Sequence, residues 1–135
     1  MIYKVIDIEG VGPAYAEKLN AAGITTAKQY LEIAATPKGR QEIADQTGIS
    51  PALILKWANH SDLFRVKGVG PQFAELLEAA GVDTVKEFRH RKAENLAETM
   101  LKVNEQKKLV RRVPTAAELK RMIEHAATLE PVMKY

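Results

Sequence analysis

The sequence predicts an all-α protein of about ten short helices, built from two helical repeats related by an approximate two-fold axis. Three observations carry this expectation. A segment of the first half recurs in the second. Helix-start and helix-stop residues follow one another in close succession along the chain. No stretch alternates apolar and polar residues for long, as a half-buried strand would.

The recurrence appears when the chain is shifted by 58 residues, which lays Gly10–Lys28 on Gly68–Lys86. Twelve of these nineteen positions are identical, and Tyr15 for Phe73 and Ile24 for Val82 are conservative exchanges. Similarity returns at an offset of 65, where Trp57-Ala58-Asn59-His60 meets Met122-Ile123-Glu124-His125. The second copy therefore carries about seven extra residues, most simply placed in Asn104–Pro114. Residues 1–61 form repeat one and residues 62–135 repeat two, expected to pack as one compact unit.

Pro13 and Pro71 suit the first helical position, where the missing N–H costs nothing, and Gly23 and Gly81 suit the stop. Thr26-Ala-Lys-Gln29, Thr84-Val-Lys-Glu87 and Thr115-Ala-Ala-Glu118 are capping boxes. Thr36-Pro37 and Ser50-Pro51 each pair a cap with a first-position proline. Asn95-Leu-Ala-Glu98 opens a longer helix predicted to run toward Arg112 and to stop at Pro114.

Composition narrows the function. The 135 residues are 46% hydrophobic, a globular fraction, and no apolar run reaches the roughly 18 residues that span a bilayer. The absence of cysteine excludes disulfides, thiolate metal sites and cysteine nucleophiles. The segment MIYKVIDIEG lacks a signal-peptide pattern, so a cytoplasmic location is expected. No nucleophile elbow, P-loop or clustered carboxylates appear. The expectation is a non-enzyme without a metal and without a small-molecule substrate.

Gly-Val-Gly-Pro between two short helices is the sharpest feature. Two glycines around one apolar residue permit a tight turn with bare amides, and the helix opened by the proline adds its dipole, together a natural anion site. The same tripeptide equally serves as a tight αα turn that lets helices pack closely. Val11 and Val69 are expected to tuck between helices.

These residues resemble the helix-hairpin-helix superfamily. Ile8-Glu-Gly-Val-Gly-Pro…Ala16…Leu19…Gly23-Ile24 and Val66-Lys-Gly-Val-Gly-Pro…Ala74…Leu77…Gly81-Val82 both fit its pattern, and together cover under a third of the chain. The tandem architecture is similar to small uncharacterised bacterial proteins classed as domains of unknown function. The superfamily resemblance implies sequence-independent contact with DNA, the hairpin amides holding a backbone phosphate, with a monovalent cation on the hairpin carbonyls in some members. Others use the unit for protein contacts or as scaffold. Both copies depart from the pattern after the proline, where a lysine is common and Ala14 and Gln72 stand here.

Charge separates the copies. Asp7 and Glu9 flank the first hairpin, where Arg65 and Lys67 flank the second. Residues 1–62 hold 6 Lys+Arg against 7 Asp+Glu, and residues 63–135 hold 14 against 10. The first hairpin, Gly10, Val11 and Gly12, is therefore read as degenerate, because carboxylates repel a phosphate. The candidate phosphate site is Gly68, Val69 and Gly70 with Arg65, Lys67 and Gln72. Lys86, Arg89, Arg91 and Lys92 form a supporting basic patch, and Lys107–Arg112 is a further basic run. The expected function is non-enzymatic, sequence-independent nucleic-acid binding through the second hairpin. The alternative is a scaffold or adaptor docking a protein partner or a second copy, with no membrane involved.

Two other patterns carry less. Ala44, Gly48 and Ser50 fall as in a DNA-binding helix-turn-helix, but the would-be recognition helix is mostly apolar, which favours a structural pair. His60 and His125 sit at equivalent helix ends, an arrangement that suits structure better than metal binding.

Overall fold

The structure, a computed structural model, describes residues 2–135. Among the described residues there are eight α-helices, one three-residue 3-10 turn at Val5–Asp7, and no strand beyond a single antiparallel bridge between Lys4 and Thr26. The all-α expectation holds, and the count is eight helices where about ten were expected. The opening turn stays 3-10, since the chain is already extended at Ile8, and Asn104–Pro114 adds no helix. No helix of the described residues is long and apolar enough to cross a membrane.

The chain forms two compact units. One runs to Asp62 and includes Val132–Tyr135; the other is Leu63–Pro131. The first contains α1 (Pro13–Ala21), α2 (Ala27–Ala34), α3 (Pro37–Thr47) and α4 (Pro51–Leu63), whose last residue belongs to the second unit. Thr26 and Gln29 complete the predicted capping box, and Thr36 accepts from the Gly39 amide at the start of α3. Leu19, Tyr30, Ile54 and Trp57 are fully buried at its centre. The Tyr30 hydroxyl donates to the Ile54 carbonyl at 2.6 Å, so the one polar atom of that ring is satisfied. Burial pushes the phenol far above its ordinary pKa and keeps the donor proton in place. The chain end is fastened to this unit: the Lys134 amide donates to the Ala35 carbonyl, Arg40 donates to the carbonyls of Ala34 and Lys134, and the Tyr135 hydroxyl donates to Asn59.

The second unit contains α5 (Pro71–Ala79), α6 (Val85–Phe88), α7 (Ala93–Lys107) and α8 (Ala116–Ala127). Here α7 packs on α5 and α8, and α6 packs on α8. Leu76, Leu77, Phe88, Met100 and Leu119 are buried together. The expected helix from Asn95 to Arg112 is displaced: α7 starts at Ala93 and ends at Lys107, capped by Lys108, which adopts the left-handed conformation at φ 51°. The Asn104 side chain stops it there, its oxygen accepting from the Leu109 and Val110 amides while its nitrogen donates to the Val110 carbonyl. Backbone groups that would have continued the helix are thereby diverted into a loop.

At the start of α8 the predicted Thr115–Glu118 capping box forms in both directions, and Arg112 meets the Glu118 carboxylate with two nitrogens at 2.7 and 2.9 Å. Those hydrogen bonds, from Arg112 first and the Thr115 amide second, hold the carboxyl down at about 2. A carboxyl whose folded pKa is depressed stabilises the fold above its unfolded value and ceases to do so as pH falls through the folded one. Stability of the second unit is therefore expected to decline from about pH 4.5 toward pH 2, and Glu118→Gln to flatten that part of an acid-unfolding curve. In the first unit, a Cβ on Gly39 would lie 1.6 Å from the Ile33 carbonyl oxygen, a backbone atom that has no rotamer to escape into. Gly39→Ala is expected to cost about 3 kcal/mol or more, measured by urea denaturation.

Candidate functional site

Each hairpin begins with a four-residue turn closed by a backbone hydrogen bond, from Val11 to Ile8 at 3.0 Å and from Val69 to Val66 at 3.1 Å. The third residue of each turn is a glycine at φ 90° (Gly10) or 93° (Gly68), a backbone region that residues with a Cβ enter only under strain. Val11 and Val69 are buried as expected, 4% and 3% exposed, and the proline that follows each Gly-Val-Gly occupies the first helical position. Neither helix start has a side chain capping it. The first N–H groups of α5, among them those of Gln72 and Phe73, have no partner inside the helix.

The closing helix of each copy lies against the hairpin of that copy. In the second unit Met122 of α8 reaches within 3.2 Å of where a Cβ on Gly68 would stand. His125, one turn further along, accepts the Lys67 amide at its Nδ1, 3.0 Å away. This fixes the imidazole proton on Nε2 and removes one hairpin amide from the set available to a ligand. In the first unit the indole Nε1 of Trp57 comes within 3.5 Å of the corresponding position on Gly10, and among the described residues that buried N–H has no acceptor.

The residues expected around the second hairpin divide into two groups. Arg65 donates to the Glu130 carbonyl at 2.6 Å, and Arg91 is held by Glu87 and by the Gly81 carbonyl. Both guanidiniums thus fasten the fold. Lys67, Gln72, Lys86 and Lys92 are exposed, Gly68 is exposed, and Arg89 is half-buried at the end of α6. At the first hairpin, Asp7 accepts the Lys4 amide, so its carboxylate stabilises the opening turn. In the region compared with a helix-turn-helix, Trp57 and His60 are fully buried and Asn59 is 8% exposed, which removes them from any groove contact.

Residues 9–129 match the family of domains of unknown function DUF4332. The chain belongs to that family. No curated protein and no solved structure matches it.

This DUF4332 chain also has a feature that the sequence did not single out. A pocket of about 610 Å³ is lined by Gln72 of α5, Asn104 of α7 and the loop residues Lys108, Leu109, Val110 and Arg111. Lys108 and Arg111 belong to the basic run noted in the sequence, yet nothing there joins them to Gln72. The available signal was the insertion itself, since extra residues placed after a helix must form a loop beside something.

His125 gives the hairpin a testable support. His125→Phe leaves the Lys67 amide without its acceptor and is expected to cost about 1 kcal/mol. His125→Asn, which offers an oxygen near the place of Nδ1, is expected to restore part of that loss. Amide hydrogen exchange at Lys67 reads the bond directly: fast in the phenylalanine variant, intermediate in the asparagine variant.

Proposed function

We propose that this protein binds nucleic acid without sequence preference and without catalysis, through the second hairpin. The observation that carries the reading is the uncapped start of α5, flanked by exposed Lys67 and Gln72. Unpaired helix amides and a nearby ammonium attract a backbone phosphate. The unit that holds them has 13 Lys+Arg against 10 Asp+Glu, whereas the first unit is balanced at 7 against 7. Exposed Lys86 and Lys92 add longer-range attraction to the same unit. The likeness of both hairpins to the helix-hairpin-helix superfamily supports the reading, as does their shared turn geometry. With Arg65 and Arg91 committed to backbone carbonyls, Lys67 supplies the principal charge.

One observation favours a second reading, a scaffold or adaptor for a protein partner. The second hairpin is braced from one side by Met122 and His125, which is how a hairpin used only for packing would look.

A salt titration with duplex DNA separates the two. Phosphate binding predicts an affinity that falls by about one log unit per log unit of salt for each phosphate contacted. Lys67→Glu is expected to weaken binding uniformly across sequences and to lower that slope by about 1. Glu9→Lys, which gives the first hairpin the charge of the second without touching the Asp7 bond to Lys4, is expected to strengthen binding. Absence of binding to DNA or RNA at about 50 mM salt would overturn the reading.

A further inference from the structure

The pocket between α5 and the loop after α7 shares only Gln72 with the hairpin reading. Its lining contains two cations, Lys108 and Arg111, and no carboxylate. Among the described residues neither cation has an ion-pair partner, and both are exposed. By contrast Arg112, next in sequence, is taken by Glu118. The loop is held by the three Asn104 hydrogen bonds, so the two charges are presented on a fixed backbone. Lys108 occupies a left-handed position that glycine takes without strain, and a lysine there places an ammonium at the pocket.

Volume and lining restrict the ligand. Two positive charges match a phosphomonoester, which carries about −1.5 to −2 at neutral pH, and the Arg111 fork suits its oxygens. At about 610 Å³ the space lies in the range of small-molecule sites and exceeds what a bare ion fills. Half-buried Leu109 and Val110 provide apolar wall for the body that carries the phosphate, and the Gln72 amide offers an NH2 donor group and a carbonyl acceptor. We propose that this pocket binds a phosphomonoester on a partly apolar body, the phosphate between Lys108 and Arg111 and the body against Leu109 and Val110. The proposal goes beyond the hairpin reading and does not need it. A phosphomonoester of this kind occurs both in a free nucleotide and at a phosphorylated strand end.

The test titrates adenosine 5′-monophosphate, adenosine and inorganic phosphate into the full chain by calorimetry, with amide shifts of Gln72, Leu109 and Val110 as the site readout. The nucleotide is expected to bind at least about tenfold more tightly than either adenosine or inorganic phosphate. Arg111→Gln and Lys108→Gly are each expected to weaken it by about tenfold. Lys108→Gly removes the charge while relieving the backbone, so its melting temperature stays equal or rises, and loss of binding in that variant is not loss of fold. Equal affinity for adenosine, unchanged affinity in Lys108→Gly, or no shift of the pocket amides at about 10 mM nucleotide would overturn the proposal. A 5′-phosphorylated oligonucleotide against its 5′-hydroxyl twin decides the source: preference for the former assigns the strand end, equality assigns the free nucleotide. Lys67→Glu is expected to leave nucleotide binding intact, so failure here and failure of the hairpin reading are told apart.

Discussion

A turn that only glycine enters easily governs both halves of this molecule. At Gly10 and Gly68 the backbone must pass through φ near 90° so that the following valine turns inward and the proline after it starts a helix. The face of each glycine that lacks a Cβ is the face toward the closing helix, toward Trp57 in one copy and Met122 in the other. Helix direction, valine burial and the seat of the closing helix are thus settled by one residue. A side chain there would strain the backbone before it met any neighbour.

Around that shared turn the two hairpins differ in chemistry. The first surrounds its turn with carboxylates, one of them used to hold the opening turn, and covers it with an indole whose N–H has no acceptor among the described residues. The second carries an exposed Lys67 as the second residue of its turn and satisfies its amide with His125. Its unit also has a loop, organised by Asn104, that exposes two cations. The two turns share their backbone geometry while charge and loop length differ, which is the pattern expected when packing constrains the turn and solvent-facing positions are free to vary.

What could be read in the sequence follows the range of the forces involved. Caps, first-position prolines and terminal glycines act within four residues, and Thr26, Thr36, Thr84 and Thr115 each accept a first-turn amide, although the expected box at Thr84 forms in that direction alone, the Glu87 carboxylate being taken by Arg91. The end of α7 was misplaced because Pro114 is an evident stop, whereas Asn104 ends the helix earlier by bonding amides five and six residues ahead. Arg65 at the expected phosphate site and Arg91 in the expected basic patch meet carbonyls instead, because sequence shows a charge and not the partner it finds. Glu130 lies 65 residues from Arg65, and Gly81 ten from Arg91. The pocket was hidden for the same reason: Gln72 and Arg111 become neighbours only through the fold.

Trp57 is the single tryptophan of the chain, and it is fully buried beneath the first hairpin. Its fluorescence therefore reports the melting of one copy, while circular dichroism sums over both. A gap between the two transitions measures how far the two halves fold independently, and coincident transitions mean that they fold as one.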